Sequence, residues 1–394
     1  MNFKTSSLAS LSSLITKGTT PTTLGYAHSD SGIPFLRVQN IFSGQVNFKE
    51  DTLFIDSNTH TALKRSQIQG GDVLVTIAGT IGRTGVVPHD APEMNCNQAV
   101  AIVRPTQEIE RNYLRHWLES QDARSQMLGS TVTGTISNLS LSQLGELRVP
   151  VTPLEEQRRI AAILDQAETL RTQRRTALAL LDSLTQSLFL DMFGDPVANP
   201  KGLPICELQR LCTRITDGTH QSPAWQKSGI PFLFISNIVE GQINFDTHKF
   251  ISADTHAELT KRCPIEIGDV LYTTVGSYGN AAVVSTKELF AFQRHIAHIK
   301  PDRSKLDSRF LAAMIQSPGV RQQVDKVAKG IAQKTVNLAD LKELSVFGPP
   351  LPLQQTFATR IASIEALKAT HRRALAALDA LFASLQQRAF TGAL

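Results

Sequence analysis

The sequence holds few side chains whose types and spacing could do chemistry. His295 and His298 form an H-x-x-H, the start of a metal-ligand spacing, but no carboxylate or cysteine cluster stands ready to close a metal shell around them. Cys96, Cys206, Cys212 and Cys263 include no C-x-x-C pair, so they read as buried thiols in a reducing compartment. No G-x-x-x-x-G-K-[ST] loop and no G-x-G-x-x-G after a strand is present, which leaves ATP and dinucleotides without a cradle. The Asn-Pro-Pro-aromatic run of adenine amino-methyltransferases is missing as well, since Asn199-Pro200 continues into Lys201-Gly202. No nucleophile and base pair is legible. What remains is a set of basic, amide and hydroxyl side chains in loops, including the doublets Lys64-Arg65 and Lys261-Arg262.

Those doublets share a register because the chain is one design written twice, at an offset of 197 residues. IPFLRVQNIFSGQVNF from Ile33 aligns with IPFLFISNIVEGQINF from Ile230, GGDVLVTIAGTIG from Gly70 with IGDVLYTTVGSYG from Ile267, and LSQLGEL from Leu141 with LADLKEL from Leu338. The counterparts of His295 and His298 in the other copy, one residue out of that offset, are Ala99 and Ile102, which weakens a metal reading further.

Within each copy, short runs rich in β-branched residues and bounded by Gly, Pro, Asn and Asp predict strands. They are Phe35–Val38, Val73–Ile77 and Ala99–Val103, with counterparts Phe232–Ile235, Val270–Thr274 and Ile296–Ile299. Apolar residues at helical spacing predict single helices over about Asn112–Leu128 and Ser308–Val327. Each head is therefore expected to be a compact α+β domain.

A long helix closes each copy. Thr152, Pro153 and Glu155 predict a capping box and a proline in the first turn. About 38 residues follow, spanning about 57 Å at 1.5 Å per residue, up to a stop at Gly194 and Pro196. Its copy starts among Pro349, Pro350 and Pro352. Ile160, Ile163, Ala167, Leu170, Ala177, Leu181, Leu184 and Leu188 form a coiled-coil seam, matched by Phe357, Ile364, Leu367, Ala374, Leu378, Leu381 and Leu385. Arg174 and His371 interrupt the two seams at one middle register. The expected layout is a head over 1–152, a spacer helix over 153–193, a second head over 194–349 and a second helix over 350–394.

Hydrophobic residues at 41% and charged residues at 19% exclude a disordered chain, and no apolar run is long enough to span a membrane. The start, MNFKTSSLASLSSLITKG, has no continuous apolar stretch and argues against a secretory signal, so a cytoplasmic location is expected. Net charge is +5, but residues 1–152 carry 12 basic and 12 acidic side chains. A chain this balanced does not hold nucleic acid by bulk charge alone.

Two β-rich modules, each followed by a proline-introduced helix, resemble the specificity subunit of Type I restriction-modification systems. The resemblance rests on IPFL...NI..GQ.NF, G-D-V-L, G-T-I-G and G-S-Y-G, on P-L-E-E-Q-R-R-I from Pro153 and on P-L-P-L-Q from Pro350, and it covers the whole chain. It implies two target recognition domains separated by two long antiparallel coiled-coil helices in a pseudo-two-fold repeat. Each domain would read one part of a split, asymmetric double-stranded DNA site. The helices would serve as spacer and as docking surface for two methyltransferase subunits, with motor/restriction subunits beyond. No cofactor is expected in this chain; S-adenosylmethionine, ATP and Mg belong to those partners, and no membrane is involved.

Base edges are read by donor and acceptor pairs from Arg, Lys, Asn and Gln. Loop positions that differ between the copies are the expected DNA-binding residues: Thr20, Arg37, Gln39, Thr80, Arg83 and Gln98 in the first head, and His220, Gln221, Ser236, Tyr278, Asn280 and Arg294 in the second. Lys64, Arg65, Lys261 and Arg262 occur in both copies and suit phosphates better than bases. Asn40, Asn237 and the glycines at 79, 82, 276 and 279 read as turn architecture. The alternative from another class is a duplicated adaptor that binds protein or carbohydrate through β-rich heads on a helical stalk.

Overall fold

The computed structural model describes residues 3–129, 138–330 and 333–394. The chain divides into two compact units, Met1–Arg175 with Arg373–Leu394, and Thr176–Arg372.

In the first unit the central sheet has strands in the order Ser12–Lys17, Val100–Pro105, Val73–Thr76 and Thr84–Val86, all antiparallel. Side chains alternate across it, as a pleated strand requires. Val73, Val75, Ala101 and Val103 face Tyr113, Leu114 and Trp117, together with Ile160, Ala161 and Leu164 of the first long helix. Leu74, Val100 and Ile102 face the opposite way, onto Leu36, Ile41, Met94 and Cys96. That second layer is a sheet ordered Leu53–Ile55, Ile33–Leu36, Met94–Cys96 and Gln67–Ile68, in which Ile33–Leu36 and Met94–Cys96 run parallel.

The second unit repeats this plan. Cys212–Asp217, Ile296–Pro301, Val270–Thr273 and Ala281–Val283 form its central sheet, and Phe250–Ile251, Ile230–Leu233 and Ala291–Phe292 the smaller one, again with one parallel pair. Phe189, Phe193, Phe310 and Phe357 fill its helical side, with ring centroids 4.7–6.2 Å apart.

Each predicted head helix is two helices. Arg111–Leu118 and Gln121–Leu128 are separated at Ser120, whose hydroxyl accepts from Ala123 N (3.2 Å). Ser308–Ile315 and Pro318–Val327 are separated where Pro318 takes the first helical position. A cap and a proline, both local signals, override the continuous apolar spacing. The strands Ile33–Leu36 and Ile230–Leu233 also stop early, because Val38–Asn40 and Ile235–Asn237 turn into 3-10 geometry.

The long helices are Leu154–Phe193 and Leu351–Thr391. In the first unit, Arg159 bonds to the Leu394 carbonyl and Arg171 to Asp379, so the two segments run antiparallel. The second unit shows the same sense, with Phe189 against Phe357 and Lys368 against Asp182. The first turns are tied by Gln157 and Gln354, in place of the predicted capping box. The Gln157 amide donates to Thr152 O (2.7 Å) and Glu108 O (3.1 Å) and accepts from Glu110 N (2.7 Å). Gln354 makes the equivalent bonds to Pro349 O (2.7 Å), Lys305 O (2.8 Å) and Asp307 N (2.9 Å). The seam is buried at Ile160, Ala167 and Phe357, whereas Leu170, Leu184, Leu367 and Leu381 are exposed. Arg174 and His371 are both half-buried.

Candidate nucleic-acid interface

In the first unit, backbone hydrogen bonds gather four loops at one rim of the sheets. Thr19 N donates to Cys96 O (3.1 Å), Asn97 N to Leu36 O (3.0 Å) and Ile77 N to Ala99 O (2.8 Å). Thr20, Arg37, Gln39 and Gln98 are thereby brought together, and the loop bearing Thr80 and Arg83 starts beside them. Thr20 Oγ1 donates to Gln98 Oε1. Arg37 and Gln39 both reach Asp51, at 3.3 and 3.0 Å from its carboxylate oxygens. One exposed acid thus holds both a guanidinium and an amide, and Asp51 itself sits at φ +46°. Arginine and glutamine side chains are among those whose donors read base edges.

Asn40 shapes this rim without being exposed. Its carbonyl accepts from Arg37 N (2.8 Å) and its amide donates to Asp51 O (3.2 Å). Asn237 does the same work in the second unit, accepting from Phe234 N (2.9 Å) and donating to Asn244 O (2.9 Å).

The second rim is built by the same bonds. Thr219 N donates to Phe292 O (3.1 Å), Gln293 N to Leu233 O (3.2 Å) and Arg294 N to Thr219 O (3.0 Å). His220, Gln221, Ser236 and Arg294 are exposed there. The His220 ring lies 2.9 Å from Asp217, and Arg294 Nε lies 3.2 Å from His295 Nε2. Burial, with Arg294 and His220 adding to it, holds the His295 imidazole below its ordinary pKa, so Nε2 is free to accept that hydrogen bond.

Asn280 and Tyr278 lie on the loop after Val270–Thr273. Asn280 Nδ2 donates to Ser277 O (3.0 Å), which closes the turn. Tyr278 is buried, donates its hydroxyl to Asp325 (2.8 Å) and stacks under the Arg321 guanidinium at 4.3 Å. Its side chain anchors the loop to the Pro318–Val327 helix. Gly279, at φ +92°, lets Arg321 approach the backbone where any Cβ would collide with it.

Lys64, Arg65, Lys261 and Arg262 are exposed. Ser66 anchors the first turn by accepting from Asn95 Nδ2 (2.9 Å). In the second, Arg214 Nη1 donates to Arg262 O (2.5 Å). His298 does not converge with His295: it is buried between Cys263 and Asp269.

A groove in the first unit was not foreseen. Thr80 and Arg83 form one wall with Phe42, Arg124, Glu168, Arg171 and Arg175 around a volume of about 960 Å³. Arg171 is shared by Glu168 and Asp379 and lies 4.5 Å over the Phe382 ring. The second unit carries the same charges at the 197-residue offset, Lys368 and Glu365 for Arg171 and Glu168 and Asp182 for Asp379, with Lys368 between Asp182 (2.8 Å) and Glu365 (3.0 Å). There Glu240 stands where Ser43 stands in the first unit, and it pairs with Arg372 at 3.2 Å. Reading the repeat for opposite charges that exchange places would have found this set. Among the described residues, no helix is long and apolar enough to cross a membrane.

The family model for the Type I restriction modification DNA specificity domain matches residues 2–179 and again 206–379. The EcoKI specificity subunit of Escherichia coli K12 is 23% identical over 393 residues, covering 93% of this chain and 83% of its own length. The EcoBI specificity subunit of Escherichia coli is 32% identical over 167 residues, or 41% of this chain and 35% of the relative. Among solved structures, the S subunit from M. genitalium aligns at 13% identity with a TM-score of 0.60, covering 99% and 96% of the two chains. A chain from a structural study of type I R-M complex assembly aligns at 20% identity and a TM-score of 0.55, covering 100% and 98%. At these identities the structures speak for the fold alone.

Proposed function

The chain belongs to the family of Type I restriction modification DNA specificity domains, which it carries twice, and from that premise we propose that it is the non-catalytic, sequence-reading subunit of a Type I restriction-modification complex. Each head reads one half of a bipartite, asymmetric site in double-stranded DNA. The observation that carries this reading is the rim in each unit, where backbone bonds converge three or more loops and leave donor-bearing side chains outermost.

In the first head Arg37, Gln39, Gln98 and Thr20 meet base edges, with Arg83 and Thr80 alongside; in the second, His220, Gln221, Ser236 and Arg294 do. Asn280 and Tyr278 hold the second loop in shape. Lys64, Arg65, Lys261 and Arg262 take phosphates, which position the protein without reading sequence.

Partner subunits supply the chemistry. Two methyltransferase subunits bring S-adenosylmethionine and extrude the target adenine, and motor/restriction subunits bring ATP and Mg, all in the cytoplasm. The exposed leucines at 170, 184, 367 and 381 support a docking role for the long helices, because isolated charged helices rarely leave so many large apolar side chains in water.

The test is a head exchange. Residues 1–150 are replaced by the equivalent segment of a relative, the chimera is co-expressed with its methyltransferase subunit, and the methylated motif is sequenced. One half of the motif should change and the other persist. A folded, active chimera that changes both halves, or neither, refutes the two-reader reading.

A further inference from the structure

The second head contains a Cys–His–Asp chain that sequence recognition does not use. Cys263 Sγ lies 3.3 Å from His298 Nδ1, and His298 Nε2 lies 2.6 Å from Asp269 Oδ2. Three elements build it: the turn after the Ala253–Thr260 helix, the strand Ile296–Pro301 and the turn before Val270.

The tautomer follows from the carboxylate. Asp269 Oδ2 also accepts from Lys300 Nζ (2.8 Å) and from Glu266 N (2.8 Å). Burial alone would raise its pKa, but the bonds from His298, Lys300 and Glu266 hold it below the ordinary range, so it is an ionised acceptor. His298 must then place its proton on Nε2, which leaves the Nδ1 lone pair facing the thiol. His298 and Asp269 are almost fully buried, whereas Cys263 is only partly covered. This is a nucleophile, a base and a group that orients the base, in the order that activation requires.

The first head shows that the sheet does not need the arrangement. Ser66, Ile102 and Asp72 occupy the three places, and Asp72 is satisfied by a two-pronged bond from Arg104, at 2.8 and 2.9 Å. The shared acid is architectural; the thiol and imidazole are additions of the second head.

We propose that Cys263 is a reactive thiol, activated by His298 as general base and Asp269 as its positioning residue, and that it is a site of reversible oxidation by hydroperoxides. In the step, Sγ attacks one peroxide oxygen, the O–O bond breaks, and the thiol proton passes through His298 to the leaving oxygen. Sulfur is oxidised by two electrons to a sulfenic acid, and the peroxide is reduced to water or an alcohol. Burial raises the thiol pKa, partly offset by Arg214 and Lys300, with Asp269 and Glu266 opposing. The thiol proton therefore leaves during the attack.

The test uses the full chain, with iodoacetamide as probe and mass mapping of each thiol over time. Cys206, partly covered in the same unit, is the internal control. General-base assistance is worth about 10²–10⁴-fold; allowing for partial cover, Cys263 should react about tenfold or more faster than Cys206 at pH 7. Its rate should rise less steeply with pH than that of Cys206. His298→Ile, which installs the first head's residue, should remove the advantage and leave Cys206 unchanged. Hydrogen peroxide followed by dimedone should label Cys263 first. A wild-type Cys263 no faster than Cys206, or a folded H298I that stays fast, overturns the proposal. Should H298I fail to fold, the wild-type rate ratio and pH profile decide it.

Discussion

Gln157 and Gln354 are the two side chains on which each long helix is tied to its head, and truncating either has a cost that can be worked out. Both are fully buried, and each makes three hydrogen bonds to backbone groups. Gln157→Ala leaves Glu110 N and the carbonyls of Thr152 and Glu108 unpaired. At about 1 kcal/mol net for each bond, the loss is about 3 kcal/mol, or about 6 to 12 °C in Tm for units of this size at about 2 to 4 °C per kcal/mol. Gln157→Glu should cost more, since a carboxylate would face two carbonyl oxygens without water. Calorimetry gives the global loss, and amide exchange at Glu110, read beside Asp307 as the untouched equivalent, localises it. Gln354→Ala should mirror the result with the two amides exchanged. A loss under about 0.5 kcal/mol, with Glu110 still protected, would mean that water replaces the amide and that the side chain does not hold the helix.

The buried imidazole of His116 bonds to Asp165 (2.8 Å), yet burial keeps its pKa below the ordinary value. The folded pKa lies under the unfolded 6.5, so stability is full above about pH 6.5 and falls as pH drops through that value. The first unit should soften below pH 6.5 by amide exchange near His116, and H116N should flatten that local response, which the second unit, with Ala313 and Ala362 in those places, lacks. For Arg171 and Asp379, either alanine substitution alone should destabilise by about 1 kcal/mol and the double R171A/D379A by clearly less than the sum in denaturant titrations; additive losses would show no coupling. Removing both Lys64 and Arg65 should lower the salt slope of DNA binding by about 1.8 if each neutralises one phosphate and leave the methylated motif unaltered, whereas a changed motif would make them base readers.

The repeat was legible because copying preserves register, and with it the two-unit plan, the antiparallel helices and the rim asparagines. Local punctuation was harder to weigh. Ser120 and Pro318 each end a helix inside an apolar pattern that continues across them, so spacing alone ran two helices together. The helix starts fall where the prolines put them, but the bonds that tie the first turn do not follow from local spacing. Glu155 stands where a capping box needs it, but Gln157, two residues on, finds its partners at Glu108 and Glu110, nearly fifty positions away in sequence. Tyr278 shows the same limit: a loop aromatic that differs between copies looks outward until Arg321 and Asp325 are seen to enclose it. The Arg115–His116–Asp165 set was invisible because its counterparts are alanines and the repeat gives no cue.

The first unit is assembled from both ends of the sequence: Ala389 lies in its core with Ile160 and Leu164, and Phe390 meets Tyr113 edge-on with ring centroids 5.3 Å apart. The second unit is one continuous stretch. During synthesis the order of completion is therefore inverted. Residues 176–372 have all their partners once made, while the head translated first waits, with a helix-sized apolar gap, for residues 373–394. A nonsense mutation late in the coding sequence would damage the first-translated head and spare the second, and a chaperone that shields nascent chains would be needed longest at the end made earliest.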